Sequence, residues 1–187
     1  MKKIICFLLC VCFLCGMTSC KLGTLSDEEA RAELERLLPK AKELAEVFYG
    51  QGLPYEPIAE DSSDYYAYVT SDASYQSIAA IKTAAEGVFS TEYLESVYEY
   101  AFEGSDYYAS RYFMATVDGK QRLKINLKLE PMALYTDIDL SSAKVVEGTP
   151  AKAVVKVKAT NAKGVVKDKE ITIVRQGDAW VLDCGAY

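Results

Sequence analysis

Residues 151–184 read AKAVVKVKATNAKGVVKDKEITIVRQGDAWVLDC, and their rhythm decides the fold class. Ala153, Val155 and Val157 alternate with Lys152, Lys156 and Lys158, a period of two that turns the lysines to water on a half-buried strand. Asn161 to Gly164 carries turn chemistry, and Val165 to Arg175 resumes a β pattern. Gln176-Gly177-Asp178 makes a second turn before Ala179 to Cys184, where Trp180, Leu182 and Cys184 share a face. Working upstream, Ile138 to Val146 is a further strand. Arg111 to Val117 and Gln121 to Leu127 flank Asp118-Gly119, a two-residue hairpin signal.

Before Arg111 the period is helical. Ser26 with Glu29 forms a capping box, and Asp27, Glu28 and Glu29 suit the positive end of a helix. Ala30, Leu34, Leu37, Leu38, Ala41, Leu44, Ala45 and Phe48 recur at three- and four-residue steps, giving one apolar face. That face keeps its phase through Pro39, so one long helix kinked at the proline is predicted, ending at Gly50-Gln51-Gly52. Leu53 to Ser63 reads as a loop and Tyr65 to Thr70 as a short strand. Ile78, Ile81, Ala85 and Val88 then mark a helix that breaks near Gly87. Ser90 caps a second, with Leu94, Val97, Tyr98, Ala101 and Phe102 on its face until Gly104. Helices leading and strands trailing imply an α+β domain over residues 26–187: a long kinked helix and a helical pair packed on one curled antiparallel sheet of about five to six strands.

The N-terminus carries an address. Lys2 and Lys3 precede an apolar run from Ile4 to Leu14, the layout of a secretory signal over residues 1–19. The run is shorter than the roughly twenty residues of a spanning helix. Met17-Thr18-Ser19-Cys20 resembles the lipobox of bacterial lipoproteins. That resemblance implies a lipid on Cys20, a short tether over residues 20–25 and a domain held at the extracytoplasmic face of a membrane. The leader accounts for Cys6, Cys10, Cys12 and Cys15, which leaves Cys184 beyond Cys20. The exported domain is therefore expected to rest on its hydrophobic core without an intramolecular disulfide, with Cys184 a buried, inert thiol.

Composition excludes several chemistries. The chain contains no histidine, which removes Ser-His-Asp and Cys-His catalysis and histidine-based zinc sites. Charge is uneven: eighteen acidic against five basic residues from Ser26 to Asp106 (5 − 18 = −13), then nine against thirteen from Arg111 to Tyr187 (13 − 9 = +4). Neither half carries the dense basic stripe of a nucleic-acid binder. The exported region shows no phosphate-cradling loop, dinucleotide fingerprint or Cys-x-x-Cys pair, and no cofactor is expected.

The order of elements resembles NTF2-like and cystatin-like domains, cone-shaped folds in which a bent sheet wraps a long helix. More narrowly, Tyr75-Gln76-Ser77-Ile78 through Lys82 and Glu86-Gly87-Val88-Phe89-Ser90-Thr91-Glu92-Tyr93-Leu94 resemble the IseA-type DL-endopeptidase inhibitors, as does Arg111-Tyr112 ahead of the Asp118-Gly119 hairpin. This resemblance implies a protein that blocks a cell-wall hydrolase outside the cell.

The candidate site comes from an identical repeat: Ser63-Asp64-Tyr65-Tyr66-Ala67 recurs as Ser105-Asp106-Tyr107-Tyr108-Ala109. Ser-Asp suits a turn and paired aromatics suit a pleated strand. Both copies are expected to open on one sheet edge and offer Asp64, Tyr65, Tyr66, Asp106, Tyr107 and Tyr108 to a protein or peptide partner in the envelope, since tyrosine combines contact area with a hydroxyl. Two other readings stand beside this one. A small ligand would occupy the cone cavity. A histidine-free enzyme would use carboxylates such as Asp64, Asp106 and Glu103 at the cone mouth. Asp137-Ile138-Asp139 lacks the glycine and further oxygen ligands of an EF-hand loop and reads as alternating strand residues.

Overall fold

The computed structural model describes residues 23–59, 64–106 and 108–187. The signal segment, Cys20, the start of the tether, Ser63 and Tyr107 lie outside the described residues. The fold is α+β, with three α-helices and two antiparallel sheets among the described residues. Helix α1 spans Asp27–Phe48 and opens on the capping box: the Ser26 hydroxyl accepts from the Glu29 N–H, and the Glu29 carboxylate accepts from the Ser26 N–H. All eight residues of the expected apolar face are buried, and Val47 joins them. At 1.5 Å per residue its 22 residues run about 33 Å.

Helices α2 (Ile78–Glu86) and α3 (Thr91–Tyr98) are capped by Ser77 and Ser90, whose hydroxyls accept from the Ala80 and Tyr93 N–H groups. One π-helical turn, Glu99–Glu103, follows α3 and stops at Gly104 with φ 74°. Strand β1 (Tyr66–Tyr68) flanks β3 (Lys120–Asn126) on one side and β2 (Tyr112–Val117) on the other. Asp118 and Gly119 turn the β2–β3 hairpin with φ of 49° and 75°, the left-handed pair that a type I′ turn requires. Strands β4 (Tyr135–Gly148), β5 (Lys152–Asn161), β6 (Val166–Gln176) and β7 (Ala179–Leu182) form a four-stranded meander.

In place of the single curled sheet expected from the pattern, the described residues form seven strands in sheets of three and four. The division falls between β3 and β4. Pro131 has no N–H to donate there, and the Met132 N–H turns aside to the Tyr49 carbonyl at 2.7 Å. Strand β4 is itself broken by three register shifts.

The two inner faces meet α1 in one contiguous core. Ala153, Val155, Val157 and Ala159 of β5, Ile171 and Ile173 of β6 and Leu182 of β7 contribute from the larger sheet. Ala67, Tyr112, Leu123 and Ile125 contribute from the smaller one. Lys156 and Lys158 point away from this core and both bind Asp168 of β6. The helical pair is tied to β7 by backbone bonds: the Ser90 N–H donates to Leu182, and the Leu182 N–H to Val88.

Candidate functional site

Strand alternation builds the candidate site on the outer face of the three-stranded sheet. Ala67 of β1, Leu123 and Ile125 of β3 and Tyr112 of β2 point inward and are buried. Tyr66, Tyr68, Arg122, Lys124 and Phe113 must therefore share the opposite face. Register then sets the neighbours, because Lys124 stands opposite Tyr68 on one side and Phe113 on the other.

Cations and rings interleave on this face. The Lys124 Nζ lies 4.8 Å from the Tyr68 ring centre and 5.8 Å from that of Phe113. The Arg122 guanidinium lies 4.3 Å from Tyr68, and the Lys128 Nζ lies 3.9 Å from Tyr65. The Tyr66 ring meets Phe113 edge-on at 4.6 Å and Tyr65 at 4.7 Å. Each such cation–ring contact is worth about 0.5–1 kcal/mol at an exposed site and about 2 when desolvated.

Lys124 is the unusual member, only 8% exposed. A buried ammonium needs a counter-charge, and Asp64 supplies one at 2.7 Å. The same carboxylate accepts the Tyr66 N–H at 2.9 Å, so the repeat's aspartate ties the loop to the sheet. The hydrogen bond from Lys124, helped by the Tyr66 N–H, holds the Asp64 carboxyl below its ordinary pKa. Glu56 pairs with Arg122 at the outer edge of β1. Beside them lies a depression of about 200 Å³ lined by Glu56, Ile58, Asp64, Tyr66 and Lys124.

The two copies of the repeat flank the same end of β3. The Leu127 N–H donates to Tyr65, leading into β1, and the Asn126 N–H donates to Arg111, leading into β2. Beyond that they differ. The first copy runs directly into a strand, whereas the described residues of the second lie outside any strand and β2 begins only at Tyr112. Tyr108 packs on Tyr100 at 5.9 Å, which stacks on Tyr49 at 5.5 Å. Among the described residues no ring contact joins this cluster to Tyr65 and Tyr66. Asp106 stands exposed in the loop and Glu103 on the π-helical turn.

Phe113, Tyr68, Arg122, Lys124 and Glu56 were not among the residues singled out from the sequence. The signal was partly there, since Arg122 and Lys124 alternate with Leu123 and Ile125; the cross-strand register was not. Asp139 accepts from the Ser141 N–H and hydroxyl at 3.0 and 2.6 Å, a local turn at a β4 irregularity. Among the described residues no group of three or more carboxylates, cysteines or histidines is placed to hold a metal ion. Cys184 is largely buried, which pushes its thiol pKa up, and its sulfur accepts the Thr172 N–H at 3.3 Å. Among the described residues no helix is long and apolar enough to cross a membrane. No protein-family model matches the chain, and no curated protein matches it.

Proposed function

We propose that this chain is a lipid-anchored, extracytoplasmic binding protein whose NTF2-like or cystatin-like domain engages a protein or peptide of the cell envelope. A cell-wall hydrolase is the partner class. The binding surface in this reading is the outer face of β1, β3 and β2, with the second repeat at its rim. The membrane is reached through a lipid on Cys20, and neither nucleic acid nor a cofactor takes part.

The reading rests on one observation above others: Lys124 is sunk between Tyr68 and Phe113 and clamped by Asp64. A face ordered this way holds Tyr66, Tyr68, Phe113 and Arg122 in place around the buried Lys124, and aromatic residues and arginine are the side-chain types enriched at interfaces. It suits a partner segment that brings carboxylates and apolar side chains. Two features weigh against the other readings. The depression beside Lys124 measures about 200 Å³, short of the roughly 300–1,000 Å³ of small-molecule sites. Asp64, the candidate carboxylate on this face, has its pKa moved downward by the hydrogen bond from Lys124, the direction opposite to that of a general acid.

A crosslinking pull-down of envelope extract tests the surface. The pairs Tyr65→Ala/Tyr66→Ala and Tyr107→Ala/Tyr108→Ala, with Tyr68→Ala, are expected to lose the captured partner while keeping the far-ultraviolet circular dichroism of the parent. Full capture by folded variants sinks the assignment. Labelling with a palmitate analogue tests the anchor, and label that survives Cys20→Ala refutes it.

A further inference from the structure

The first described residues of the chain lie against one end of the four-stranded sheet. A side chain at Gly148 would come within 3.2 Å of Thr24, and Leu25 packs on the core. The two turns at that end are joined, because the Arg175 N–H donates to the Ala151 carbonyl at 2.8 Å. Arg175 stands opposite Trp180 in register, and the Trp180 carbonyl accepts from the Arg36 Nη2 at 2.7 Å. Gly23, Leu25, Glu29, Pro150, Arg175 and Trp180 surround one hollow there.

The polar groups of this end are unevenly committed. The Glu29 carboxylate accepts from the Ser26 N–H and from its hydroxyl, both at 2.8 Å. Arg175 is held loosely: its Nε donates to the Gly177 carbonyl at 3.4 Å, and its ionic partner Asp178 is fully exposed at 4.0 Å. Exposed pairs of this kind add little, so the guanidinium keeps donors for a phosphate, whose oxygens its fork matches in pairs. Trp180 is half-buried and is the chain's sole tryptophan. Its ring joins a large apolar body to one N–H, the combination that favours the boundary between lipid and water.

Tether length brings this end to a membrane. Cys20 stands three positions before Gly23 in the sequence, and three residues reach at most about 11 Å. A lipid on Cys20 therefore keeps the Gly23 end of the domain beside the headgroups. Helix α1 starts at the same end and runs about 33 Å to Val47 and Phe48. There the Val47 carbonyl accepts from Arg111 and Tyr112, which join the smaller sheet to the helix.

We propose that the hollow-bearing end docks on a phospholipid bilayer, with Trp180 at the lipid–water boundary and Arg175 on a headgroup phosphate. The aromatic face is then carried at the opposite end of α1, away from the membrane. The inference rests on the reading of Cys20 as the lipid site. Glu29 and Asp178 offset Arg175 and exposed Lys152 in charge, so zwitterionic phosphatidylcholine suffices.

The lipidated full chain is reconstituted in phosphatidylcholine vesicles with and without a nitroxide on the lipid headgroup. Trp180 is expected to lose more than half of its emission in the nitroxide vesicles. In Trp180→Phe/Val165→Trp the tryptophan moves to the turn after β5, a ten-residue strand about 33 Å long, and its emission should not change. A ten-residue Gly-Ser insertion between Leu22 and Gly23 separates docking from proximity, since its r.m.s. reach is about 17 Å. Quenching of Trp180 should persist with the insertion and fall when Arg175→Gln is added. Flotation of the vesicles reads the anchor independently. A chain that fails to float overturns the lipid on Cys20 and this inference together. A chain that floats with Trp180 unquenched, or quenched only on the short tether, overturns the docking alone. Equal quenching at Val165→Trp overturns the orientation, and undiminished quenching after Arg175→Gln overturns the phosphate contact.

Discussion

Replacing Tyr112 by phenylalanine removes a single oxygen from the place where α1 meets the smaller sheet. The Tyr112 ring is fully buried, and its hydroxyl donates to the Val47 carbonyl at 2.9 Å while accepting the Leu53 N–H at 3.0 Å. The two losses are unequal. Val47 keeps a donor in the Arg111 Nε at 3.0 Å, so its carbonyl remains satisfied. The Leu53 N–H has no such substitute, and Leu53 is 3% exposed, so water cannot replace the hydroxyl. An orphaned buried donor costs about 1–3 kcal/mol. The phenyl ring keeps the packing, which confines the loss to that one group and centres it near 2 kcal/mol. For a chain of this size that lowers Tm by about 4–8 °C. Urea unfolding followed by circular dichroism reads it directly, the midpoint falling while the denaturant slope stays constant. Tyr68→Phe is the control: it too removes only a hydroxyl, from a ring on the outer face, and should change stability by less than about 0.5 kcal/mol. If Tyr112→Phe and Tyr68→Phe are equally stable, the hydroxyl is not holding the loop after α1 and the account of this junction is wrong.

Other perturbations reach different parts of the fold. Ser90→Ala takes away the α3 cap and the hydroxyl that donates to Asp183, and is expected to cost about 0.5–2 kcal/mol in urea unfolding. Leu34→Ala, at a position with no exposure at the middle of α1, should cost about 2–5 kcal/mol by leaving a cavity. Asp168, hydrogen-bonded by Lys158 and Lys156, has its pKa lowered from 3.8 to about 2. A depressed carboxylate stabilises the fold above its unfolded value, so stability should fall as pH drops from about 4 to about 2, less steeply in high salt and less in Asp168→Asn. Native Cys184 should resist iodoacetamide and react fully once the chain is unfolded, because burial raises its thiol pKa.

Much of the fold was legible because local patterns are short-range consequences of backbone geometry. The α1 face, the Ser26 and Ser90 caps and the Asp118-Gly119 turn each follow from residues within a few positions of one another. Strand β5 likewise buried Ala153, Val155 and Val157 as its alternation required. The failure came at the joint between β3 and β4. Continuous strand patterning on both sides of Pro131 reads as one sheet, yet the proline has no N–H and the Met132 N–H goes to the end of α1. The repeat shows the same boundary. Its first copy enters β1 directly, whereas Tyr108 of the second packs on Tyr100 and β2 begins only at Tyr112.

By itself the sequence determined the class of the domain, the helical and strand segments and the inward face of each, because periods of two and 3.6 are written in consecutive residues. It also set the chemistry excluded by the lack of histidine. Tertiary structure alone decided which strands pair and in what register, and thus that Lys124 lies between Tyr68 and Phe113 under the hold of Asp64. It also decided that Arg111 is buried at the end of α1, 64 residues from the Val47 carbonyl it caps. Contacts across such separations depend on how whole elements pack, and no local period encodes them.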